Sequence, residues 1–205
     1  MRYPSALLFI AASACCTSAS AIIRCKLNEQ PINISNGADL AGKSGLVRCR
    51  DDGTGKIQRE QELQNGKFLG LERMFDREGR LLRERTANER GNSQGRVAEF
   101  WPNGTLRREE TTDNGRTQGA VRRFDATGRV DRVSFHDNGQ ELFSVDYNGK
   151  GQPTRLLCPR TSVLPEDRKF CGFDGATDTA LFAESGARSA QLRYDQGRLL
   201  SATEW

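Results

Sequence analysis

Few side chains in this chain could do covalent chemistry. His136 is the only histidine, and a hydrolytic relay needs a histidine held between a nucleophile and an acid. It sits in His136-Asp-Asn-Gly139, a turn sequence, which makes it a surface residue and not a base. Neither G-x-S-x-G nor H-E-x-x-H occurs. No catalytic residue is assigned, and the chain reads as no enzyme. The six cysteines are Cys15, Cys16, Cys25, Cys49, Cys158 and Cys171. No C-x-x-C pair occurs among them, so zinc is not expected, and neither is any other cofactor. Arginine is the abundant functional group: 25 of the 31 basic residues. Its planar fork suits bidentate contact with carboxylate or phosphate, although codon bias also enriches it.

The elements that would position these groups follow from a repeat. Phe75-Asp-Arg-Glu-Gly79-Arg-Leu81 is followed by Phe100-Trp-Pro-Asn-Gly104-Thr-Leu106 and Phe124-Asp-Ala-Thr-Gly128-Arg-Val130. The copies begin 25 and 24 residues apart (75, 100, 124). A fixed period in this range marks a repeat array. Asn-Gly dipeptides at Asn65, Asn103, Asn114 and Asn138 are hairpin signals. Short runs alternating apolar and polar residues lie between the turns. The chain is therefore read as all-β: an antiparallel β-meander of repeated hairpins in a single sheet. Phe75, Phe100, Phe124 and Phe135 would stack into an apolar ladder that serves as the core. Trp101 has opposite parity to Phe100 and is expected to be the more exposed.

Four residues beyond each turn glycine stands an arginine: Arg83, Arg108 and Arg132. The repeat would align them. With Trp101 they are the candidate binding residues, as a strip for carboxylate or another anion. The plainer reading is a solvated face of cross-strand ion pairs, each contributing little.

The ends of the chain set its compartment. Arg2, the apolar stretch Ser5–Cys16 and Ala19-Ser-Ala21 have the form of a secretory signal cleaved after Ala21. Cys15 and Cys16 are the positions for a lipid anchor, which the residues ahead of Cys15 do not favour. Removing the signal leaves Cys25, Cys49, Cys158 and Cys171, an even count that implies disulfides in an exported chain. Three pairings are open; pairing of sequence neighbours would close one loop on each side of the array. Residues 1–21 then form the signal and 22–51 an N-terminal β segment with a disulfide. The array covers 52–152, and 153–205 holds a disulfide loop and a capping repeat around Tyr194–Leu199. Pro165–Phe170 is expected to form a short helical turn with proline first. Net charge is +4, with acids and bases interspersed, which does not point to nucleic acid.

Asn65-Gly-Lys-Phe-Leu-Gly70 leading to Phe75–Leu81, and Asn114-Gly-Arg-Thr-Gln-Gly119 leading to Phe124–Val130, resemble the bacterial variant of the MORN repeat (membrane occupation and recognition nexus). The resemblance covers roughly residues 52–150, with a return at 186–200. It implies a chain of β-hairpins. Bacterial proteins with such repeats are often labelled antitoxins; eukaryotic ones are linked to protein assembly and phospholipid contact. The cysteine-bearing ends depart from a plain array and point to a member adapted to the cell envelope. The expected function is a periplasmic or secreted protein-binding module, in its sharper form an immunity- or antitoxin-type inhibitor of an envelope-acting toxin. The alternatives are a binder of anionic membrane surfaces and a structural envelope scaffold.

Overall fold

The computed structural model describes residues 22–205; the expected signal sequence, its cleavage site, Cys15 and Cys16 lie outside them. The chain enters through β1 (Ile23–Leu27), β2 (Gln30–Ile32), a short α1 (Gly37–Leu40) and β3 (Gly45–Asp51). The meander follows: β4 (Ile57–Gln64), β5 (Lys67–Phe75), β6 (Leu81–Ala87), β7 (Ser93–Phe100), β8 (Leu106–Asp113), β9 (Arg116–Thr117), β10 (Gly119–Phe124), β11 (Val130–Asp137), β12 (Gln140–Tyr147) and β13 (Pro153–Leu157). Then come α2 (Pro165–Cys171), β14 (Thr177–Phe182), β15 (Arg188–Asp195) and β16 (Arg198–Glu204). The large sheet runs β13-β12-β11-β10-β8-β7-β6-β5-β4-β3-β1-β2, with β9 on β8, and every pairing is antiparallel. β14-β15-β16 form a separate three-stranded sheet.

Turn chemistry explains the meander. Asn65-Gly66, Asn114-Gly115 and Asn138-Gly139 hold positive φ at both residues, the backbone of a two-residue hairpin turn that asparagine and glycine tolerate best. The opposite edge carries five-residue turns. In each, the first residue donates its N–H to the carbonyl of the fifth, and the glycine N–H returns to the first: Asp76 with Arg80 and Gly79, Trp101 with Thr105 and Gly104, Asp125 with Arg129 and Gly128. Phe75 faces Leu81, Phe100 faces Leu106 and Phe124 faces Val130 across these turns, as the motif requires. Asn148–Gln152 and Ala183–Ala187 have the same bonds, and Tyr147 faces Pro153 and Phe182 faces Arg188. With Asn88–Asn92, which makes the same bonds with Ala87 facing Ser93 on the other edge, these are three further five-residue turns that the sequence reading missed, because alanine, serine, tyrosine, proline and arginine stand at marker positions. The expected copy at Tyr194–Leu199 is instead a two-residue turn at Gln196-Gly197 joining β15 to β16.

The core is not the expected aromatic ladder. Phe75, Phe100 and Phe124 are only half-buried. The buried apolar clusters sit at the ends. One comprises Leu27, Leu40, Val47, Cys49 and Leu63; the other Val133, Phe143, Val145, Phe170 and Cys171, with Phe135 packed against it. The reason is architectural: an interior needs a second layer over the sheet. α1 and its flanking loop supply one at the first end, and α2 at the second.

The disulfides pin these covers. Cys25 bonds Cys49 and Cys158 bonds Cys171, the pairing of sequence neighbours. Cys25 lies directly opposite Cys49 in the β1–β3 ladder, and Cys171 is fully buried. Such bonds belong to a non-reducing compartment. α2 begins with Pro165 at its first turn. The buried Asp167 carboxylate accepts from the Leu164 N–H at 2.8 Å and the Ser162 hydroxyl at 2.7 Å. No helix among the described residues is long and apolar enough to cross a membrane.

Candidate functional site

Residues directly opposite in an antiparallel ladder share a face. Following that rule strand by strand, Arg59, Met74, Arg83, Glu99, Arg108, Arg123, Arg132, Asp146 and Arg155 form one continuous row from β4 to β13. Six arginines against two acids give this row a formal +4. The expected alignment of Arg83, Arg108 and Arg132 is therefore present. Sequence spacing missed Arg59, Arg123 and Arg155; the signal was their register with the first three.

The row is not uniformly free. Arg132 is the most committed. Its Nη1 donates to Asp146 at 2.5 and 2.6 Å, and its Nη2 donates to Glu141 at 2.8 and 2.9 Å. Burial works against the Arg132 charge, but the hydrogen bonds to Asp146 and Glu141 outweigh it and hold its pKa above the ordinary arginine value. Glu141 shows the reciprocal result. Burial raises its pKa, while hydrogen bonds from Arg132 and Ser144 and the Arg132 charge lower it further, for a net depression. Arg59 reaches the buried Glu72 at 2.8 Å, and Arg108 reaches Glu110 at 2.7 Å. For these three, the plainer reading as ion pairs holds. Arg83 differs from them in forming no ion pair among the described residues; its buried Nε has no hydrogen-bond partner, as is also true of Arg59 and Arg108. It lies between Glu99 and Met74, whose side chain is 44% exposed.

Trp101 sits beside the row but is not the exposed contact expected of it. It is half-buried, like Phe100. It occupies the turn position that Asp76 and Asp125 fill elsewhere, and its indole N–H donates to the Phe124 carbonyl at 2.9 Å. Arg107 covers its ring at 5.0 Å. Trp101, Arg107, Arg108, Arg123 and Phe124, with Glu99 and Asp131, line a notch of about 270 Å³. Stacking and the indole bond fix one wall, while Arg123 is exposed at the mouth. A second cleft, about 670 Å³, lies where Arg123, Arg132 and Arg155 meet Phe182, Glu184 and Ser189 of the small sheet. There Asp131, Asp146 and Glu184 balance the three arginines.

The turns along this edge are stapled in series. Asn103 Nδ2 donates to Ala126 O at 2.8 Å, Arg129 Nη1 to Gly149 O at 2.6 Å, and Asn148 Nδ2 to Ala183 O at 3.1 Å. Each bond ties one repeat to the next, and the last ties the large sheet to the small one. These bonds link the turns at Trp101, Asp125, Asn148 and Ala183 beside the row.

His136 is not the surface residue the sequence reading placed in its turn. Its side chain is 16% exposed, and Nε2 lies 3.5 Å from Glu141 Oε2 and 3.1 Å from Ser134 Oγ. Nδ1 is buried without a partner. A relay needs the acid on one ring nitrogen and the nucleophile on the other; here both meet the same nitrogen. Ser134 is 2% exposed, so no substrate carbonyl reaches it. Among the described residues no cluster of three or more metal-ligating side chains occurs. No protein-family model matches the chain, and no curated protein matches it significantly.

Proposed function

We propose that this protein is a non-enzymatic binding module of the periplasm or secreted space, built on MORN-like repeats, that engages one acidic protein partner through its arginine row. One observation carries the reading. Arg83, unlike Arg59 and Arg108, forms no ion pair among the described residues, and it stands directly opposite an exposed methionine, Met74. An arginine with an apolar neighbour is the residue pair that interface hot spots favour. The disulfides fit the same role. The sharper form is an immunity-type inhibitor that covers the active site of an envelope-acting toxin.

The test is capture by the oxidised protein from envelope and secreted extracts of its source organism, repeated with Arg83→Ala. A single acidic secreted enzyme that is retained, inhibited, and lost by the variant supports the reading. Retention of anionic lipid alone, or of many envelope proteins equally by parent and variant, refutes it.

A further inference from the structure

The cleft between the two sheets holds two charges that the fold leaves unpaired. Its volume is about 670 Å³, within the range of sites for drug-sized ligands. Most of its charges are committed. Arg132 is bound by Asp146 and Glu141, and Arg123 by Asp131 at 3.3 Å. Arg155 and Glu184 are left. Arg155 stands directly opposite Asp146 in the β12–β13 ladder, but Arg132 already takes that carboxylate. Among the described residues neither Arg155 nor Glu184 forms an ion pair, with each other or with a third group. One uncommitted cation thus comes from the large sheet and one uncommitted anion from the small one, and both line the same cavity.

The anion is held against the large sheet from both sides. Glu184 lies in the turn Ala183–Ala187, between two carbonyls that large-sheet side chains bind. Asn148 Nδ2 donates to Ala183 O at 3.1 Å, and Lys150 Nζ to Ser185 O at 2.8 Å. Asn148 is itself 5% exposed. On the other wall Cys158, three residues after Arg155, is bonded to Cys171. Opposite charges that share a cavity and do not neutralise each other fit a ligand with one charge of each sign, and fixed walls lower the cost of binding it. The lining between them is mixed. Tyr147 and Phe182 offer half-buried rings, and the hydroxyls of Thr154 and Ser189 make no hydrogen bond within the described residues. Such hydroxyls can both donate to a peptide C=O and accept from a peptide N–H. A peptide with free ends carries all the matching groups: an ammonium, a carboxylate, amides and small side chains.

We propose that this cleft binds a short peptide with free termini, its α-carboxylate on Arg155 and its α-ammonium on Glu184. The site stands apart from Arg83 and Met74 and does not depend on the partner contact proposed for them.

An NMR titration of the oxidised protein with trialanine tests this. The peptide should bind saturably, with a Kd of about 1 mM or tighter, and should move the amide signals of Thr154, Glu184 and Ser189. Blocking either end, as N-acetyl-trialanine or trialanine amide, should weaken binding to the parent by about tenfold. Glu184→Ala should weaken trialanine by the same factor and leave N-acetyl-trialanine unchanged. Arg155→Ala should weaken trialanine likewise and leave trialanine amide unchanged. Both residues are exposed, so the variants keep the fold. No saturable binding at millimolar concentrations, signals that move only elsewhere, blocked peptides that bind the parent as well as trialanine does, or variants that weaken the matching blocked peptide as much as the free one overturn the proposal.

Discussion

Replacing Arg132 by methionine keeps an unbranched stem but removes the guanidinium, leaving Asp146 and Glu141 without the cation that bridges them. The cost follows from burial. Arg132 is 19% exposed, Asp146 21% and Glu141 31%. Exposed pairs contribute about 0–1 kcal/mol, while breaking a buried pair costs about 3–5. This network lies between, nearer the buried limit, so the expected loss is about 2–3 kcal/mol. With a urea m-value of about 2 kcal/mol/M, the midpoint should fall by about 1–1.5 M. Asp146→Asn in the Arg132→Met background should recover part of the loss, since it removes one uncompensated charge. The assay is urea unfolding followed by tryptophan fluorescence and far-UV dichroism, at low and at high salt. A loss below about 0.5 kcal/mol that disappears in salt would refute the reasoning. Arg132 would then be a screened surface cation, and its place among the contact residues would be restored.

Arg83→Ala should change stability by no more than about 0.5 kcal/mol in the same assay, because no ion pair is lost; a larger drop would make Arg83 structural. Gly104→Ala should cost about 1–2 kcal/mol, since its φ is +84° but its Cβ would meet open space, whereas Gly197→Ala should cost clearly more, because its Cβ would fall 2.0 Å from the Pro159 carbonyl oxygen; equal losses in thermal melts would contradict that contact. Replacing both Cys158 and Cys171 by serine should cost about 3 kcal/mol and release α2 from Phe143 and Val145, read as faster amide exchange in β11 and β12. Acid should loosen the five-residue turns. The Asp125 carboxylate is held well below the usual range by the Thr127 hydroxyl and the N–H groups of Thr127 and Arg129; burial opposes the same depression at Asp76, where bonds from Arg80 outweigh it. A folded pKa below the unfolded one means stability is complete above about pH 4 and is lost as pH falls through the folded values; a melting temperature unchanged from pH 7 to pH 2.5 would count against these caps.

The meander was legible because its turns are chemically explicit. Asn-Gly and the glycine of the five-residue turn are among the few residues that accept positive φ cheaply, so Gly79, Gly104 and Gly128 mark turns wherever the rest of the chain folds. The copies at Tyr147 and Phe182 were not legible. The aliphatic marker at position seven is proline in one and arginine in the other, and the turn bonds are made by backbone that any residue supplies. The arginine row was half legible. Spacing from the glycines gave Arg83, Arg108 and Arg132, but Arg59, Arg123 and Arg155 enter through cross-strand register, which irregularities in the ladders shift by one residue at Arg123 and Arg155 and by two in the β4–β5 pair. Which arginines are free was not legible at all. Glu72 neutralises Arg59 from the neighbouring strand, a relation no one-dimensional period encodes, while Glu110 neutralises Arg108 from two residues along the same strand.

The misplaced core has a functional consequence. An array that buried its aromatic ladder under a second layer would have one face committed to packing along its whole length. Here the covers and the disulfides are confined to the two ends, and β5 to β8 are held chiefly by their ladder neighbours, stapled turns and cross-strand ion pairs. Sheet hydrogen bonds and half-exposed pairs of this kind do not consume a surface in the way a hydrophobic core does. Arg83, Met74 and Glu99, and Arg123 paired with Asp131 at 3.3 Å, therefore lie on a stretch of sheet that neither helix covers. A broad recognition surface needs such an uncovered stretch more than it needs a pocket. The ends stabilise the sheet, and under the proposed function the middle is the face a partner would meet.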